Sequence, residues 1–386
     1  MIELSMSASA VPHGSDSGLA TLVSNYRRLS AQSVPLVMAT VIETLGSTYR
    51  KAGARMLISR DGQFYGLIGG GCFEGDLYEH TQAVFADGEP RMLFYDMRAT
   101  EEDAIWGLGL GCNGAVRILL QQLTADGADP TIQRLASILE RDGPGVLATV
   151  CDGNAADMSY DLSPSSPPSD CGDPGDTLAD RLQAGARSVA TLEQPDLRTV
   201  TMSGREVTVF YDYIRPAPRL LLLGAGADAQ PILNLARQLD WRIVIADHRP
   251  AYAQADRFPG AELVLHAEPD TLRAQLADRH INAVVLMTHN INVDARFLEV
   301  LQDLPCQYLG LLGPASRHEQ LFHMTGIDPA IFGQILHAPV GLDIGGASPE
   351  SIALSLITEM HAVLHDRDAR PLHGKRQPIQ TREPVN

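Results

Sequence analysis

Residues 219–229 read RLLLLGAGADA, an apolar run followed by a turn of glycine and other small residues. The run Leu220–Leu223 predicts a buried strand, and the residues after the turn predict a helix. Gly224 permits the tight turn, Gly226 lets backbone amides approach a phosphate, and small Ala229 allows the helix to pack closely on the strand. The stretch therefore predicts a Rossmann-type crossover that holds a phosphate or pyrophosphate group.

A carboxylate follows the next apolar run, WRIVIAD (241–247). Asp247 comes roughly twenty residues after Gly224, where such folds place the acidic residue that accepts hydrogen bonds from a ribose diol. The glycine turn has a predicted strand before it and a predicted helix after it, and together with Asp247 this context favours nucleotide binding. The alternative is that the glycines only make a tight turn and that Asp247 caps a helix beginning near Pro250.

Strands and helices alternate after this point, which indicates a parallel sheet covered by helices on both faces. The last helix has a clear start, because Ser348 is a typical N-cap, Pro349 suits the first position and Glu350 suits the positive helix end. We expect that helix to run to about Leu364. The predicted strands are RLLLLG (219–224), WRIVIAD (241–247), ELVLH (262–266), AVVLMT (283–288) and QYLGLLG (307–313).

Polar residues follow two of these strands, at the edge where open α/β sheets bind ligands. Thr288 and His289 end one strand, and His289 is a candidate for bonding a phosphate or carrying a proton. The alternative is that these side chains only cap the next helix. Gly313 makes a turn at the following edge, with Arg317 within reach of an anion. A solvated arginine is the alternative there.

The N-terminal part reads as a β-rich domain with few helices. Asp61 and Gly62 separate two apolar runs and predict a hairpin turn, because glycine supplies the positive φ that such a turn needs. A helix is expected from Glu74 to Phe85. A Pro-, Ser-, Gly- and Asp-rich stretch over 151–180 has too few apolar residues to pack.

These patterns give a fold class and a set of boundaries. We expect an α/β protein with a β-rich N-terminal domain and a C-terminal Rossmann-type parallel sheet with helices on both faces. The predicted ranges are flexible termini at 1–18 and 367–386, a β-rich domain at 19–150, a linker or insertion at 151–200, a strand and junction at 201–218, and the Rossmann-type domain at 219–366.

Two glycine-rich segments of the first domain each contain a cysteine, GLIGGGCFEGD (66–76) with Cys72 and GLGLGCNG (107–114) with Cys112. Backbone amides and, for Cys72, the start of a helix lower the pKa of a thiol. Such a thiolate is a ligand for a soft metal or a sulfur centre. The alternative is that both cysteines are buried small apolar groups.

Composition excludes several classes of protein. Forty-seven acidic against thirty basic residues give a formal charge of −17, which would repel a nucleic acid backbone. The start of the chain lacks the features of a secretory signal, and no apolar run is long enough to span a bilayer. The five scattered cysteines fit neither a disulfide framework nor a zinc knuckle. We expect a soluble cytoplasmic protein with reduced thiols and no nucleic acid or membrane partner.

Several motifs together resemble the XdhC/CoxI family, accessory proteins of molybdenum-containing hydroxylases. They occur in the family's order within 35–122 and 219–364. The matching stretches are LGSTYRKAGARMLI (45–58), GLIGGGCFEGD (66–76), GLGLGCNG (107–114), LLLLGAGADA (220–229), ADHRP (246–250), LMTHN (286–290), YLGLLGP (308–314) and PVGLDIGGASPESIALSLITEM (339–360).

The resemblance implies a carrier rather than a catalyst. Such a protein binds molybdenum cofactor, protects it while its sulfido ligand is installed, and inserts it into a xanthine dehydrogenase-type apoenzyme, with a cysteine desulfurase as second partner. Carried over by position, Gly224, Gly226, Ala229 and Asp247 would form the nucleotide-type pocket, with Cys72 and Cys112 as the loop cysteines facing the metal. Molybdopterin ends in a phosphate, and its cytosine dinucleotide form adds a pyrophosphate and a ribose, which suits a Rossmann crevice.

Two other classes of function use the same features. An NAD(P)-dependent oxidoreductase would bind NAD at the glycine turn and use His289 as acid or base. A nucleotide-sensing assembly module would use the crevice for regulation and the β-rich domain for protein contacts. The sequence leaves open which cofactor form binds, and a homodimer is the commonest expectation for a soluble oligomer.

Overall fold

The structure is a computed structural model that describes residues 18–71, 73–98, 114–152, 159–163, 178–202, 204–277 and 279–374. The chain divides into two compact units, Met1–Pro216 and Ala217–Asn386. No helix in these described ranges is long and apolar enough to cross a lipid bilayer.

The first unit contains a five-stranded antiparallel sheet with the strand order β3-β2-β1-β5-β4. The predicted hairpin is confirmed as β2–β3, with Gly62 at φ +84°, and the predicted helix at Glu74 is confirmed as α2. The elements are β1 (Leu36–Gly46), β2 (Arg55–Ser59), β3 (Phe64–Gly66), β4 (Arg91–Asp96) and β5 (Gly114–Gln122), with helices α1 (Leu19–Ser30), α2 (Glu74–Asp87) and α3 (Pro130–Glu140).

A second antiparallel sheet of the same unit has the order β7-β6-β9-β8. Its strands are β6 (Gly145–Val150), β7 (Ser159–Asp161), β8 (Asp196–Met202) and β9 (Arg205–Ile214), and helix α4 (Leu178–Leu192) packs on it. Much of this lies in 151–200, where the sequence predicts a linker or an insertion. The difference has a physical reason, since Leu182, Ala186 and Val189 of α4 lie on one helix face and are buried against the sheet.

The second unit is a six-stranded, all-parallel sheet with the order β12-β11-β10-β13-β14-β15. Its strands are nearly continuous apolar runs because helices cover both faces. The strands are β10 (Arg219–Leu223), β11 (Arg242–Asp247), β12 (Leu263–His266), β13 (Ala283–Leu286), β14 (Tyr308–Leu311) and β15 (Leu336–His337).

Two buried clusters lie on opposite faces of this sheet. Helices α5 (Ala229–Gln238) and α9 (Pro349–Leu364) pack on one face. Helices α6 (Pro269–Leu276), α7 (Ile291–Leu301) and α8 (Ala315–Thr325) pack on the other. The predicted fold class is therefore confirmed, and so is the start of α9, where the Ser348 side chain accepts a hydrogen bond from the Ser351 amide.

Candidate functional site

The candidate site lies at the carboxyl edge of the parallel sheet, at the switch point between β10 and β13. The chain leaves β10 towards β11 and later returns to the opposite side of β10 as β13. At such a point the loops after the two strands diverge and leave a crevice. The residues after β10 and after β13 therefore flank one opening.

The turn after β10 has the backbone of an anion site. Gly224 has φ +132°, and a Cβ built on it would lie 2.4 Å from the Met287 carbonyl oxygen, so no other residue fits there. In the part of the chain that the structure describes, the backbone amides of Gly226, Ala227 and Asp228 have no hydrogen-bond acceptor. Three amides without acceptors at a helix start are a ready site for a phosphate.

A carboxylate partly covers this turn. A Cβ built on Gly226 would lie 2.5 Å from Oδ1 of Asp228 and 3.8 Å from Nε2 of His289. The Asp228 Oδ2 atom pairs with that same ring nitrogen at 3.0 Å, across the crevice. His289 has φ +61°, a backbone conformation uncommon outside glycine. An entering anion therefore meets a negative charge tethered to His289.

Asp247 is fully buried and fully bonded. Its oxygens accept hydrogen bonds from the Ala225 amide at 2.7 Å and from Arg249, through the backbone amide, Nε and Nη2, at 2.8–2.9 Å. Burial raises the pKa of Asp247, but these hydrogen bonds outweigh it, so the net direction is downward. Because a carboxylate has about four acceptor positions, a ribose hydroxyl would have to displace Arg249. Arg249 is itself stacked on Tyr252.

The neighbouring edge, after β13 and β14, has a buried network of its own. Thr288 donates its hydroxyl to Asp294, and Arg317 donates Nη2 to the same carboxylate at 2.6 Å. The Asn290 side chain caps α7, as the capping alternative for this segment expects. The charge of Arg317 is therefore neutralised by Asp294. Gly313 has a φ of +125° in the turn before α8.

A buried histidine of α8 is absent from the sequence prediction. His318 is 5% exposed, and neither ring nitrogen has a hydrogen-bond partner among the described residues. Burial lowers the pKa of His318 and outweighs the opposing effect of the nearby Leu312 backbone, while Arg317 lowers the pKa further and Asp294 raises it slightly. The signal that could have found it is its position, one residue after Arg317 in the first turn of a helix.

Replacing His318 by leucine is expected to flatten the pH dependence of stability. A histidine with a lowered folded pKa stabilises the fold above its unfolded pKa of 6.5, and that contribution is lost as the pH falls below this value. The wild type should therefore lose unfolding free energy between about pH 7.5 and about pH 5.5, and His318→Leu should lose less. Denaturant titrations at both pH values measure this. His361, whose pKa burial also lowers, is present in both proteins, so equal slopes would contradict the prediction.

The structure thus brings the predicted residues of the second unit to one edge and gives them different roles. Gly224 and Gly226 shape the turn, and Ala229 is buried where α5 meets the sheet. Asp247 and Thr288 form hydrogen bonds with other groups of the protein. Of these predicted residues only His289 is largely exposed, with 61% of its side chain accessible to solvent. The sequence prediction missed Asp228, which lies beside the turn, and Arg249, which bonds Asp247.

The cysteine sites of the first unit lie outside the described residues, because the structure describes neither Cys72 nor Cys112. Within the ranges that it does describe, no group of three or more His, Cys, Asp or Glu residues is placed to hold a metal ion. The arrangement that remains is one for binding an anion, formed by backbone amides and controlled by charged side chains.

Comparisons with known proteins give matches over both units. A family model described as the XdhC Rossmann domain matches residues 220–360, and a model described as the XdhC and CoxI family matches residues 29–96. A probable xanthine dehydrogenase subunit of Bacillus subtilis (strain 168) is 32% identical over 333 residues, covering 84% of this chain and 92% of that protein.

Two further matches cover most of the chain. The molybdenum cofactor insertion chaperone PaoD of Escherichia coli (strain K12) is 25% identical over 336 residues, covering 86% of this chain and 85% of that protein. A crystal structure described as a xanthine dehydrogenase from Bacillus halodurans has a TM-score of 0.64 at 27% identity, covering 91% of this chain and 98% of that chain. The similarity therefore spans both units rather than the Rossmann domain alone.

Proposed function

This chain belongs to the XdhC and CoxI family, and on that premise we propose that it is a molybdenum cofactor-binding accessory protein. It protects the cofactor, assists its sulfuration and inserts it into a xanthine dehydrogenase-type molybdenum hydroxylase. The similarity to a named molybdenum cofactor insertion chaperone supports the insertion role. The name of the Bacillus subtilis relative supports a xanthine dehydrogenase as the enzyme served.

The observation that carries the proposal is the set of amides at Gly226, Ala227 and Asp228, which have no acceptor among the described residues. Molybdopterin ends in a phosphate, and an anion at this turn would receive these N–H groups together with the positive end of α5. On a chain of formal charge −17, such a local site is what an anionic ligand requires.

The form of the cofactor affects which residues take part. A terminal phosphate would need only the amides of the turn after β10. His289 and Gly313 lie close to the same carboxyl edge of the sheet. The ribose of a cytosine dinucleotide, or of NAD or another nucleotide, would use Asp247 only after Arg249 has moved, because Arg249 supplies three of the four hydrogen bonds to that carboxylate. Cys72 and Cys112 are the proposed contacts for the molybdenum end.

The proposed partners follow from this role. One is the apoenzyme of the molybdenum hydroxylase, and the other is a cysteine desulfurase that supplies the sulfur. We expect the carrier to work as a homodimer in the cytoplasm. Gel filtration with and without each partner tests these associations.

Two substitutions at the turn are expected to change pterin retention in opposite directions. Gly226→Asp adds a carboxylate facing the phosphate and should abolish retention. Asp228→Asn removes one and should raise affinity about tenfold, since one charge a few ångströms away contributes roughly 1–4 kcal/mol at effective dielectric constants of about 80–20. The measurement is anaerobic co-purification from a cofactor-producing extract, with the oxidised pterin quantified by fluorescence.

Asp303→Asn is the matched control, because it makes the same change of charge at an exposed carboxylate after α7, at the opposite edge of the sheet. It should leave retention unchanged. Equal retention in wild type, Gly226→Asp and Asp228→Asn would place the cofactor elsewhere. Retained pterin that fails to activate an apo-hydroxylase in reconstitution would overturn the insertion role while leaving binding intact.

A further inference from the structure

A pair of histidines lies at the C-terminal end of α9. His361 and His365 are four residues apart, so their side chains lie on the same side of the helix, and both residues are exposed. The ring of His361 stacks on Trp241, which comes directly before β11 and therefore lies at the amino edge of the parallel sheet. The crevice is at the carboxyl edge, so the proposed function does not use this pair.

The two imidazole rings are held close together. Their centroids are 4.1 Å apart, and the ring planes differ by 30°. The plane of the His361 ring is within 15° of the indole plane of Trp241, which is 5% exposed. The buried indole therefore supports one imidazole, and that imidazole supports the other. Because the pair is already ordered, it loses little conformational entropy when both rings bind one ion.

A hydrogen bond fixes the tautomer of His365. Its Nδ1 atom lies 2.8 Å from the carbonyl oxygen of His361, and because a carbonyl can only accept, Nδ1 carries the hydrogen. The lone pair is therefore on Nε2. Metal-binding histidines are typically held in this way, with one ring nitrogen donating to a backbone carbonyl and the other on the metal. Neither Nε2 of His365 nor the ring nitrogens of His361 have a hydrogen-bond partner in the described part of the chain.

The position of the pair at a helix end favours a cation. Leu364 is the last residue of α9 and His365 is its C-cap, so the negative end of the helix dipole lies beside the two rings. The next two residues, Asp366 and Arg367, have opposite charges and add no net charge. On a chain of formal charge −17, cations are also concentrated near the surface.

We propose that His361 and His365 bind one divalent transition-metal ion at the amino edge of the second unit. Two imidazoles one turn apart on a helix are the arrangement that zinc-binding helices use. Water completes the coordination, since no third His, Cys, Asp or Glu among the described residues is placed to join the pair. Imidazole suits Ni²⁺, Cu²⁺ and Zn²⁺, and of these Cu²⁺ should bind most tightly. This metal site goes beyond the proposed cofactor function and does not depend on it.

Trp241 provides a local measurement of metal binding, because Cu²⁺ bound next to an indole quenches its fluorescence. The full chain, in the Trp106→Phe background, is titrated with Cu²⁺ in a buffer that does not chelate metals. We expect quenching of Trp241 that saturates. Zn²⁺, which binds imidazole but does not quench, should reverse it, whereas Mg²⁺, which prefers oxygen ligands, should not.

Substitution of one imidazole should weaken the affinity for Cu²⁺ by at least tenfold, because the second ligand then no longer acts at a high effective concentration. His365→Gln is the main variant, since it leaves the stacking of His361 on Trp241 in place. His323→Gln is the matched control, because His323 is exposed in the last turn of α8 and has no histidine one turn away in the sequence. Both variants should melt at the wild-type temperature without metal, since the replaced side chains are exposed.

The outcomes separate a defined site from general attraction of cations. Saturable quenching that His365→Gln weakens and His323→Gln leaves unchanged supports the proposal. Quenching that is the same in all three proteins, or that Mg²⁺ reverses as well as Zn²⁺ does, overturns it. Absence of quenching in the wild type also overturns it. None of these results bears on the cofactor role, which pterin retention tests.

Discussion

Replacing Gly224 by alanine is expected to destabilise the second unit by about 3 kcal/mol or more and to abolish ligand binding. The new Cβ would lie 2.4 Å from the Met287 carbonyl oxygen and 2.7 Å from its carbon, both of them backbone atoms of the chain leaving β13. The backbone cannot yield as a side chain does, and φ +132° is a strained conformation for any residue with a Cβ. The two costs add.

Gly226→Ala is the matched control for this prediction. The one neighbour that its Cβ would approach too closely is Oδ1 of Asp228, at 2.5 Å. That atom is the end of a side chain that can rotate away, so the cost should be below about 1 kcal/mol. Denaturant unfolding followed by the fluorescence of Trp241, which is buried in this unit, measures both changes in a Trp106→Phe background. Equal stabilities for Gly224→Ala and Gly226→Ala would contradict the geometry of the turn.

Replacing Asp212 by alanine is expected to destabilise the first unit by roughly 3–5 kcal/mol, because it leaves a buried guanidinium unpaired. Asp212 of β9 pairs with Arg55 of β2, and the two residues are 4% and 5% exposed. The pair joins the two antiparallel sheets. Without Asp212, the one side-chain hydrogen bond that Arg55 keeps among the described residues is to the Gly53 carbonyl.

The double substitution Arg55→Met with Asp212→Leu distinguishes loss of the pair from loss of packing. Buried ion pairs are often replaced by apolar side chains at little cost, so this protein should recover most of the stability that Asp212→Ala loses. Denaturant unfolding followed by circular dichroism measures the series. A double variant less stable than Asp212→Ala would show that the charges themselves contribute most of the stability.

Local patterns were sufficient to predict the Rossmann unit. The run Leu220–Leu223, the glycines at 224 and 226 and the cap at Ser348 each act within a few residues, so the sequence shows them directly. Asp228 and His289 are far apart in the chain, and only the placement of β13 beside β10 brings them together. No periodicity predicts such a pair.

The contacts of Arg249 and the helix α4 also differ from what the sequence predicted, and the causes are similar. Arg249 is two residues after Asp247, but that spacing does not show whether it bonds the carboxylate or extends into solvent. In the structure it bonds Asp247 and stacks on Tyr252. In the first unit, the Pro- and Ser-rich composition before Asp180 obscured α4, whose buried face becomes clear only when the second sheet is present. Composition indicates which segments cannot pack but gives poor boundaries for those that can.

The tethered carboxylate of Asp228 also bears on how tightly a carrier should hold its cargo. The Asp228 carboxylate is held beside the amides by His289 without accepting a hydrogen bond from them, so it repels an incoming anion rather than occupying its place. Loading then occurs next to a fixed negative charge, and the apparent affinity is lower than the amides alone would give. A protein that must pass its ligand to an acceptor protein benefits from this moderation, because the same repulsion favours release.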